Sequence, residues 1–150
     1  MTAIAVAEQT VDAPLAVAFP QFIDYTHWDL WMPAKFAPVS GPARQLELGD
    51  RFKVSLNPKL RLSFGLEVIR VRPNKEICWR GGPALLLQGE HSFLFAQDAQ
   101  DASKTRIRSE EPLTGVLARG PWAAPIERAF SEVGALILAR FADHLASRAA

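Results

Sequence analysis

The sequence predicts an α+β domain in which a curved antiparallel sheet of about seven strands surrounds a long C-terminal helix, with two short helices after the first strand. Alternating apolar and polar residues, interrupted by turn residues, fill the middle of the chain, and this pattern is typical of strands joined by short turns. The final segment instead has apolar residues at helical spacing. A chain of 150 residues is close to the commonest domain size, so we expect one domain over 1–150.

The first elements are a strand and a helical region. The residues from Ala3 to Val11 contain a short strand, and Asp12-Ala13-Pro14 follows it like a helix start, because proline suits the first helical turn. A short helix is expected over 15–23, and Pro20 should bend it or divide it into two pieces. The segment 25–33 is dense in aromatic residues, so we expect it to lie on an apolar surface.

Short alternating runs predict the strands in the middle of the chain. Turns such as Asn57-Pro58-Lys59 and Arg72-Pro73-Asn74-Lys75 separate these runs, and consecutive strands joined by short turns imply antiparallel pairing. The apolar residues that alternate along them are Phe52, Val54, Leu56, Leu62, Phe64, Leu66, Val68, Ile77, Trp79, Phe93, Phe95 and Ile107.

The C-terminal segment changes to a helical period. Pro125 suits a first helical turn, and the predicted helix has roughly 22 residues and a length of about 33 Å, enough to span the concave face of a sheet. The apolar residues that recur at helical spacing are Ile126, Phe130, Val133, Ile137, Phe141 and Leu145.

Charge and cysteine content exclude several classes of protein. Lys and Arg total 17 against 16 Asp and Glu, so the net charge of +1 gives no field that would attract nucleic acid, and Arg106 and Arg108 are expected on a solvated strand face. The single Cys78 cannot form an internal disulfide and lacks zinc ligands beside it, so we expect no metal site and an outward or half-buried thiol opposite Trp79. The sequence has no signal segment and no run of roughly 20 apolar residues, which favours a cytoplasmic protein.

Several motifs, taken in order along nearly the whole chain, are similar to one known superfamily. They are Val11-Asp12-Ala13-Pro14 with Phe19 and Phe22, Trp28-Asp29-Leu30-Trp31-Met32-Pro33, Leu48-Gly49-Asp50-Arg51-Phe52, Ile77-Cys78-Trp79-Arg80-Gly81, Gly89-Glu90-His91-Ser92-Phe93-Leu94-Phe95, and Thr105-Arg106-Ile107 through Glu111 to Gly115. With them the sequence resembles the SRPBCC superfamily of START-like and polyketide cyclase/dehydrase-like domains. The resemblance implies the helix-grip fold and a hydrophobic ligand, but it implies no particular reaction.

The resemblance also implies a cavity between the sheet and the last helix. Trp31 is expected to cover its mouth, opposite a flap formed by the loop 82–87, and Gly134 is expected to leave room inside it. The other expected ligand-binding residues are Phe52, Val54, Phe64, Leu66, Trp79, His91, Phe93, Ile107, Phe130, Val133 and Ile137. The alternative interpretation is that these residues simply fill a packed core.

His91 and Glu111 are the two candidate catalytic residues, because each shares a strand face with apolar neighbours. A histidine in such a pocket can act as an acid or base near neutral pH, and a carboxylate beside it can set its tautomer. The alternative is structural, with Glu111 capping a turn or pairing with an arginine and His91 bonded to backbone. His144 is expected to favour the C-terminal dipole of the last helix.

The sequence contains no motif for nucleophilic catalysis, metal binding or phosphate binding. No nucleophile elbow, paired metal-ligand histidines or glycine-rich phosphate loop is present, so we expect no cofactor. The leading hypothesis is a non-catalytic carrier or sensor of a hydrophobic small molecule, and the second is a polyketide cyclase/dehydrase-like enzyme that uses His91 and Glu111. The third is a protein-interaction module that uses the apolar loop 84–87. The same loop could also join two copies of the chain in a homodimer.

Overall fold

The computed structural model describes residues 3–33, 35–40, 44–57 and 62–149, and within these ranges it confirms the predicted α+β architecture. The strands are β1 (Ala3–Val11), β2 (Lys35–Ser40), β3 (Arg51–Asn57), β4 (Leu62–Arg72), β5 (Glu76–Gly81), β6 (Gln88–Gln97) and β7 (Thr105–Thr114). The helices are α1 (Leu15–Phe22), α2 (Trp28–Trp31) and α3 (Ala123–Ala149). The last of these has 27 residues, a turn longer than the pattern predicted.

The described strands form one sheet in the order β1-β7-β6-β5-β4-β3-β2, with every neighbouring pair antiparallel. β1 and β2 are therefore the two edges, and β1 pairs with β7 along its whole length. The register shifts between Ser55 and Asn57 in β3 and between Val68 and Arg70 in β4. Such irregularities bend a strand and increase its twist, which helps a sheet to curve.

β2 is a strand that the alternation of the sequence did not reveal. Its residues Lys35–Ser40 pair only with β3, so it is an edge strand. Pro38 lies within it, and proline is tolerated there because an edge strand needs hydrogen bonds on one side only.

α1 and α2 cover one end of the concave face. α1 begins after Pro14, whose carbonyl oxygen accepts hydrogen bonds from the N–H groups of Val17 and Ala18 at 2.9 Å. Pro20 lies inside α1, which nevertheless continues as one helix to Phe22, so the predicted division into two pieces is wrong.

Aromatic side chains fill the space between these helices, the sheet and α3. The Phe22 ring lies 5.3 Å from Trp31, 4.8 Å from Phe93, 5.4 Å from Phe95 and 5.0 Å from Phe141, measured between ring centroids. We call these five residues the aromatic end of the interior. The expectation that the segment 25–33 lies on an apolar surface is confirmed, since Trp28 and Trp31 are both buried.

The outer face of the sheet is partly covered by its own side chains. Glu76 accepts hydrogen bonds from Arg70 at 3.1 Å and from the Ser92 hydroxyl at 2.8 Å. Cys78 lies beside this group on the outer face, opposite Trp79 as predicted, but it has no exposed surface, so the expected partial exposure of the thiol is wrong. Burial raises the pKa of the thiol. Arg106 and Arg108 are exposed as predicted, and both pair with Glu8.

Candidate ligand-binding site

A cavity of about 180 Å³ lies between the first half of α3 and the concave face of the sheet. The residues that line it are Phe36, Val54, Phe64, Leu66, Trp79, His91, Glu111, Ala129, Phe130, Val133 and Ile137. We call this part of the interior the cavity end. Each of the strands from β2 to β7 contributes at least one of these side chains, and His91 and Glu111 are the only titratable members of the set.

Most of the predicted ligand-binding residues line this cavity, but five do not: Trp31, Phe52, Phe93, Ile107 and Gly134. Phe52, Phe93 and Ile107 are buried in the packed core instead. The ring of Phe52, for example, lies 5.8 Å from Trp28.

Trp31 does not cover the mouth of the cavity, because α2 places it at the aromatic end. Its ring lies 4.9 Å from Phe141 and 6.4 Å from His144. His144 is half-buried, and burial, followed by the nearby charge of Arg148, lowers its pKa. This shift opposes a charged His144, and its expected interaction with the C-terminal dipole of the helix stays a prediction.

Gly134 marks a close approach of α3 to the sheet and does not leave room for a ligand. A Cβ atom on Gly134 would lie 2.7 Å from the Ser109 Oγ and 3.8 Å from the Cβ of Ala7. A side chain at this position would meet β7 and β1, so a bulky substitution there would separate the helix from the sheet instead of filling the cavity.

His91 and Glu111 are neighbours on adjacent strands. The register of β6 and β7 pairs Gly89 with Leu113 and Ser92 with Glu110, which sets His91 opposite Glu111. The His91 Nδ1 atom lies 3.6 Å from the Glu111 Oε1, and the His91 Nε2 atom lies 2.6 Å from the Ser109 Oγ. The structure thus brings the two side chains together, as the catalytic interpretation expects, and the partners of the structural alternative, backbone for His91 and a turn or an arginine for Glu111, are not seen among the described residues.

Burial in an apolar wall disfavours the charged form of both groups. It lowers the pKa of His91 to about 3 and raises the pKa of Glu111 to about 7. The contact between His91 Nδ1 and Glu111 Oε1 is therefore one between two groups that tend to be neutral and not an ion pair. At 3.6 Å it is also longer than a hydrogen bond.

The Ser109 hydroxyl is compatible with either neutral form of His91, since it can donate to Nε2 or accept from it. If it donates to Nε2, the ring carries its proton on Nδ1 and faces an ionised Glu111. If it accepts from Nε2, the ring presents an unprotonated Nδ1 to a protonated Glu111. The three residues thus allow Glu111 to gain or lose a proton without a charged histidine.

Gly89 makes the position of the Glu111 carboxyl group possible. A Cβ atom on Gly89 would lie 2.3 Å from the Glu111 Oε2 and 3.0 Å from its Cδ. The carboxyl group therefore occupies the space above β6 that a side chain would fill.

Phe36, Ala129 and Ser109 belong to the site but were missed as site residues. Ser109 shares its strand face with Ile107 and Glu111, so strand parity contained the signal. Ala129 lies one helical turn before Val133, and helical spacing would have indicated it. Phe36 had no such signal, because its strand was not recognised.

The loop 82–87 carries exposed apolar side chains. Leu85 is 87% exposed and Leu86 is 50% exposed. Their carbonyl oxygens accept hydrogen bonds from the N–H groups of Val116 and Leu117 at 3.1 and 3.0 Å. The described residues do not show what covers these leucines, so the interaction-module hypothesis stays a prediction.

Comparison with known proteins supports the architecture. No protein-family model matches the sequence, and no curated protein matches it. The Zhui aromatase/cyclase from Streptomyces sp. R1128 has a similar structure, with a TM-score of 0.74 and 11% identity over 100% of this chain and 97% of that one. The chain has the helix-grip fold.

Other solved structures are also similar to this chain. A hypothetical protein from Helicobacter pylori has a TM-score of 0.74 and 17% identity over 94% of this chain and 86% of its own. The protein Ara h 8.0201 has a TM-score of 0.70 and 12% identity over 98% of this chain and 99% of its own. Identities this low establish the fold alone. In the described ranges, no helix of this helix-grip chain is long and apolar enough to cross a membrane.

Proposed function

We propose that the protein binds a small hydrophobic molecule in the cavity end and acts as a carrier or sensor of it. The observation that carries this proposal is an apolar cavity of about 180 Å³ whose wall is interrupted only by His91 and Glu111 among the described residues. Apolar surfaces such as those of Phe64, Trp79 and Phe130 favour an apolar occupant over water.

The volume of the cavity limits the size of this molecule. Pockets for drug-sized ligands usually have about 300–1,000 Å³, whereas an apolar cavity of about 150 Å³ holds benzene. A ligand enclosed here is therefore expected to have one ring with small substituents. Burying about 200 Å² of such a ring at about 25 cal/mol per Å² contributes about 5 kcal/mol, which corresponds to a dissociation constant below about 1 mM.

The test is calorimetric titration with α-methylstyrene, a single-ring hydrocarbon. Val133→Phe replaces an isopropyl group in the cavity wall by a larger side chain with a phenyl ring and should weaken binding at least about tenfold. Leu136→Phe is the matched control, because Leu136 is 45% exposed on the same helix. Saturable binding in the wild type and the control, but not in Val133→Phe, supports the proposal. If the wild-type protein shows no saturable binding, the proposal is wrong.

A second candidate function is acid–base catalysis on a carbonyl compound, and the pairing of His91 with Glu111 in the cavity wall favours it. Since Ser109 occupies the His91 Nε2 and Glu111 lies beside Nδ1, the group free to exchange a proton with a ligand is the Glu111 carboxyl. Ionised Glu111 would remove a proton from the carbon beside the carbonyl, and the resulting acid would protonate the enolate.

Deuterium exchange into the methyl group of acetophenone in D₂O tests this second function. The enzyme hypothesis requires exchange that exceeds the buffer rate and that Glu111→Gln abolishes. Exchange equal to that in buffer alone would reject catalysis on this class of substrate and leave the carrier proposal standing.

A further inference from the structure

We propose that the ligand is a neutral ring compound with a single hydrogen-bond acceptor, such as an aryl ketone, and that Glu111 binds this acceptor through a protonated carboxyl group. The inference rests on the proposed function, because it describes the occupant of the same cavity. It adds a requirement for one polar atom, at a defined place in the wall, and it excludes anions.

The first step is that Glu111 has free hydrogen-bonding capacity. No hydrogen bond to its carboxyl group occurs among the described residues, although the side chain is only 12% exposed and lines the cavity. The His91 Nε2 atom already has the Ser109 Oγ as a partner at 2.6 Å, and the His91 Nδ1 atom faces the Glu111 carboxyl group at 3.6 Å, so Glu111 is the residue with both oxygens available. A buried polar group that lacks a partner is costly, so a ligand that supplies one gains affinity.

The second step concerns charge. Among the described lining residues there is no lysine or arginine, and burial keeps His91 uncharged over the neutral range. A carboxylate ligand would therefore lie in an apolar wall with no cation to compensate it, beside the carboxyl group of Glu111. This arrangement disfavours anions, while a neutral acceptor can take the proton of the Glu111 hydroxyl in a hydrogen bond.

The third step is the placement of the polar atom. Glu111 and His91 lie on β7 and β6, whereas β2 to β5 and α3 present apolar side chains to the cavity. The acceptor should point toward Glu111, with the ring between Phe64 and Trp79 of the sheet and Phe130 of the helix. A compound with polar atoms at both ends would leave one of them without a partner.

Three probes of nearly the same shape test this inference by calorimetric titration at pH 6: acetophenone, α-methylstyrene and benzoate. They place a ketone, a hydrocarbon and an anion on the same ring. The wild-type protein should bind acetophenone about tenfold more tightly than α-methylstyrene, because one hydrogen bond separates them. Benzoate should bind at least about tenfold more weakly than acetophenone.

Two variants of Glu111 test whether this residue causes the preference for acetophenone over α-methylstyrene. Glu111→Leu should bind α-methylstyrene more tightly than the wild type does and lose the preference for acetophenone. Glu111→Gln keeps a neutral N–H donor and should retain part of the preference. The matched control is Glu110→Gln, because Glu110 lies on the opposite strand face and hydrogen-bonds with Arg108, and it should behave like the wild type.

The outcomes separate this inference from the proposed function. Equal binding of acetophenone and α-methylstyrene by the wild type, or an unchanged preference in Glu111→Leu, would overturn the inference while the cavity still binds apolar rings. Tightest binding of benzoate would also overturn it. If none of the three probes binds the wild-type protein, the proposed function itself fails.

Discussion

The two ends of the interior share the same sheet and the same helix, yet one is solid and the other contains a cavity. At the aromatic end, α1 and α2 insert Phe22 and Trp31 between the sheet and α3. At the cavity end, α1 and α2 contribute no lining residue, and Phe130 and Val133 of α3 face the sheet across a gap. The position of the two short helices therefore decides where the interior of this fold keeps a cavity.

The largest expected effect comes from the aromatic end. Phe22→Ala removes a fully buried ring with four aromatic neighbours and should lower the free energy of unfolding by about 4 kcal/mol. Val133→Ala, on the wall of the cavity, should cost only about 1 kcal/mol, because the side chain already lacks contacts on one side. Urea unfolding of both variants measures the difference, and equal losses would show that the two ends are packed alike.

The next prediction concerns the cavity end, where stability should depend on pH through Glu111. The pKa of Glu111 rises from 4.5 in the unfolded chain to about 7 in the fold, so its protonated form stabilises the fold below pH 4.5. This contribution is lost as the pH rises through 7. Relative to wild type, Glu111→Gln should therefore gain about 3 kcal/mol in unfolding free energy between pH 4.5 and pH 8.5.

His91 gives the control for this prediction, because its shift has the opposite sign. Its pKa falls from 6.5 to about 3, so its contribution is present above pH 6.5 and is lost as the pH falls toward 3. His91→Gln should accordingly flatten the acid side of the stability profile and leave the alkaline side in place. A Glu111→Gln profile parallel to that of the wild type from pH 4.5 to 8.5 would contradict the neutral character of the cavity wall.

A smaller effect tests the contact between α3 and β7. Gly134→Ala should raise helix propensity by about 1 kcal/mol, but the added Cβ would lie 2.7 Å from the Ser109 Oγ. Because overpacking costs about 1–3 kcal/mol, we expect a net loss of about 1 kcal/mol in thermal or urea unfolding. Ala135→Gly is the control, because at this exposed position of the same helix the change in unfolding free energy reflects helix propensity without a contact to the sheet. Stabilisation by Gly134→Ala would show that α3 can move away from the sheet.

The smallest expected effect is that of filling the cavity end. Ala129→Leu adds apolar atoms at an exposed edge of the wall and should change the unfolding free energy by less than about 1 kcal/mol, because the cavity and the solvent beside it both leave space for them. Ala18→Leu, at a fully buried position of α1, should cost about 2 kcal/mol in the same urea titration. If the two variants lose equal stability, the cavity does not have room for a ligand.

Much of this fold followed from the sequence because period and parity are local properties. The alternation at Phe64 and Leu66 and the helical spacing of Phe130 and Val133 each placed an element and the face that it buries. β2 was not predicted from the sequence, because a short edge strand that contains Pro38 has no alternating pattern of apolar and polar residues. Cys78 was misplaced because parity gives the face of a strand but not whether neighbouring side chains cover that face.

The site was less predictable than the fold. Parity put Phe93 and Trp79 on the same face, but only the position of α1 and α2 decides that Phe93 is packed while Trp79 lines the cavity. Gly134 was misinterpreted because a glycine on a helix indicates either a space or a close contact, and the sequence alone does not distinguish them. The proximity of His91 and Glu111 depends on the register of β6 and β7, which a hairpin loop of several residues does not fix.

The pairing of β1 with β7 and the position of α3 after every strand have a consequence for biosynthesis. During synthesis the N-terminus of the chain leaves the ribosome first, so β1 stays without its partner until β7 has emerged. The cavity end of the concave face then has no cover until the 27 residues of α3 follow. A nascent chain stalled before α3 would expose its future cavity wall to the cytosol of any expression host, and chaperone occupancy should be highest at that chain length.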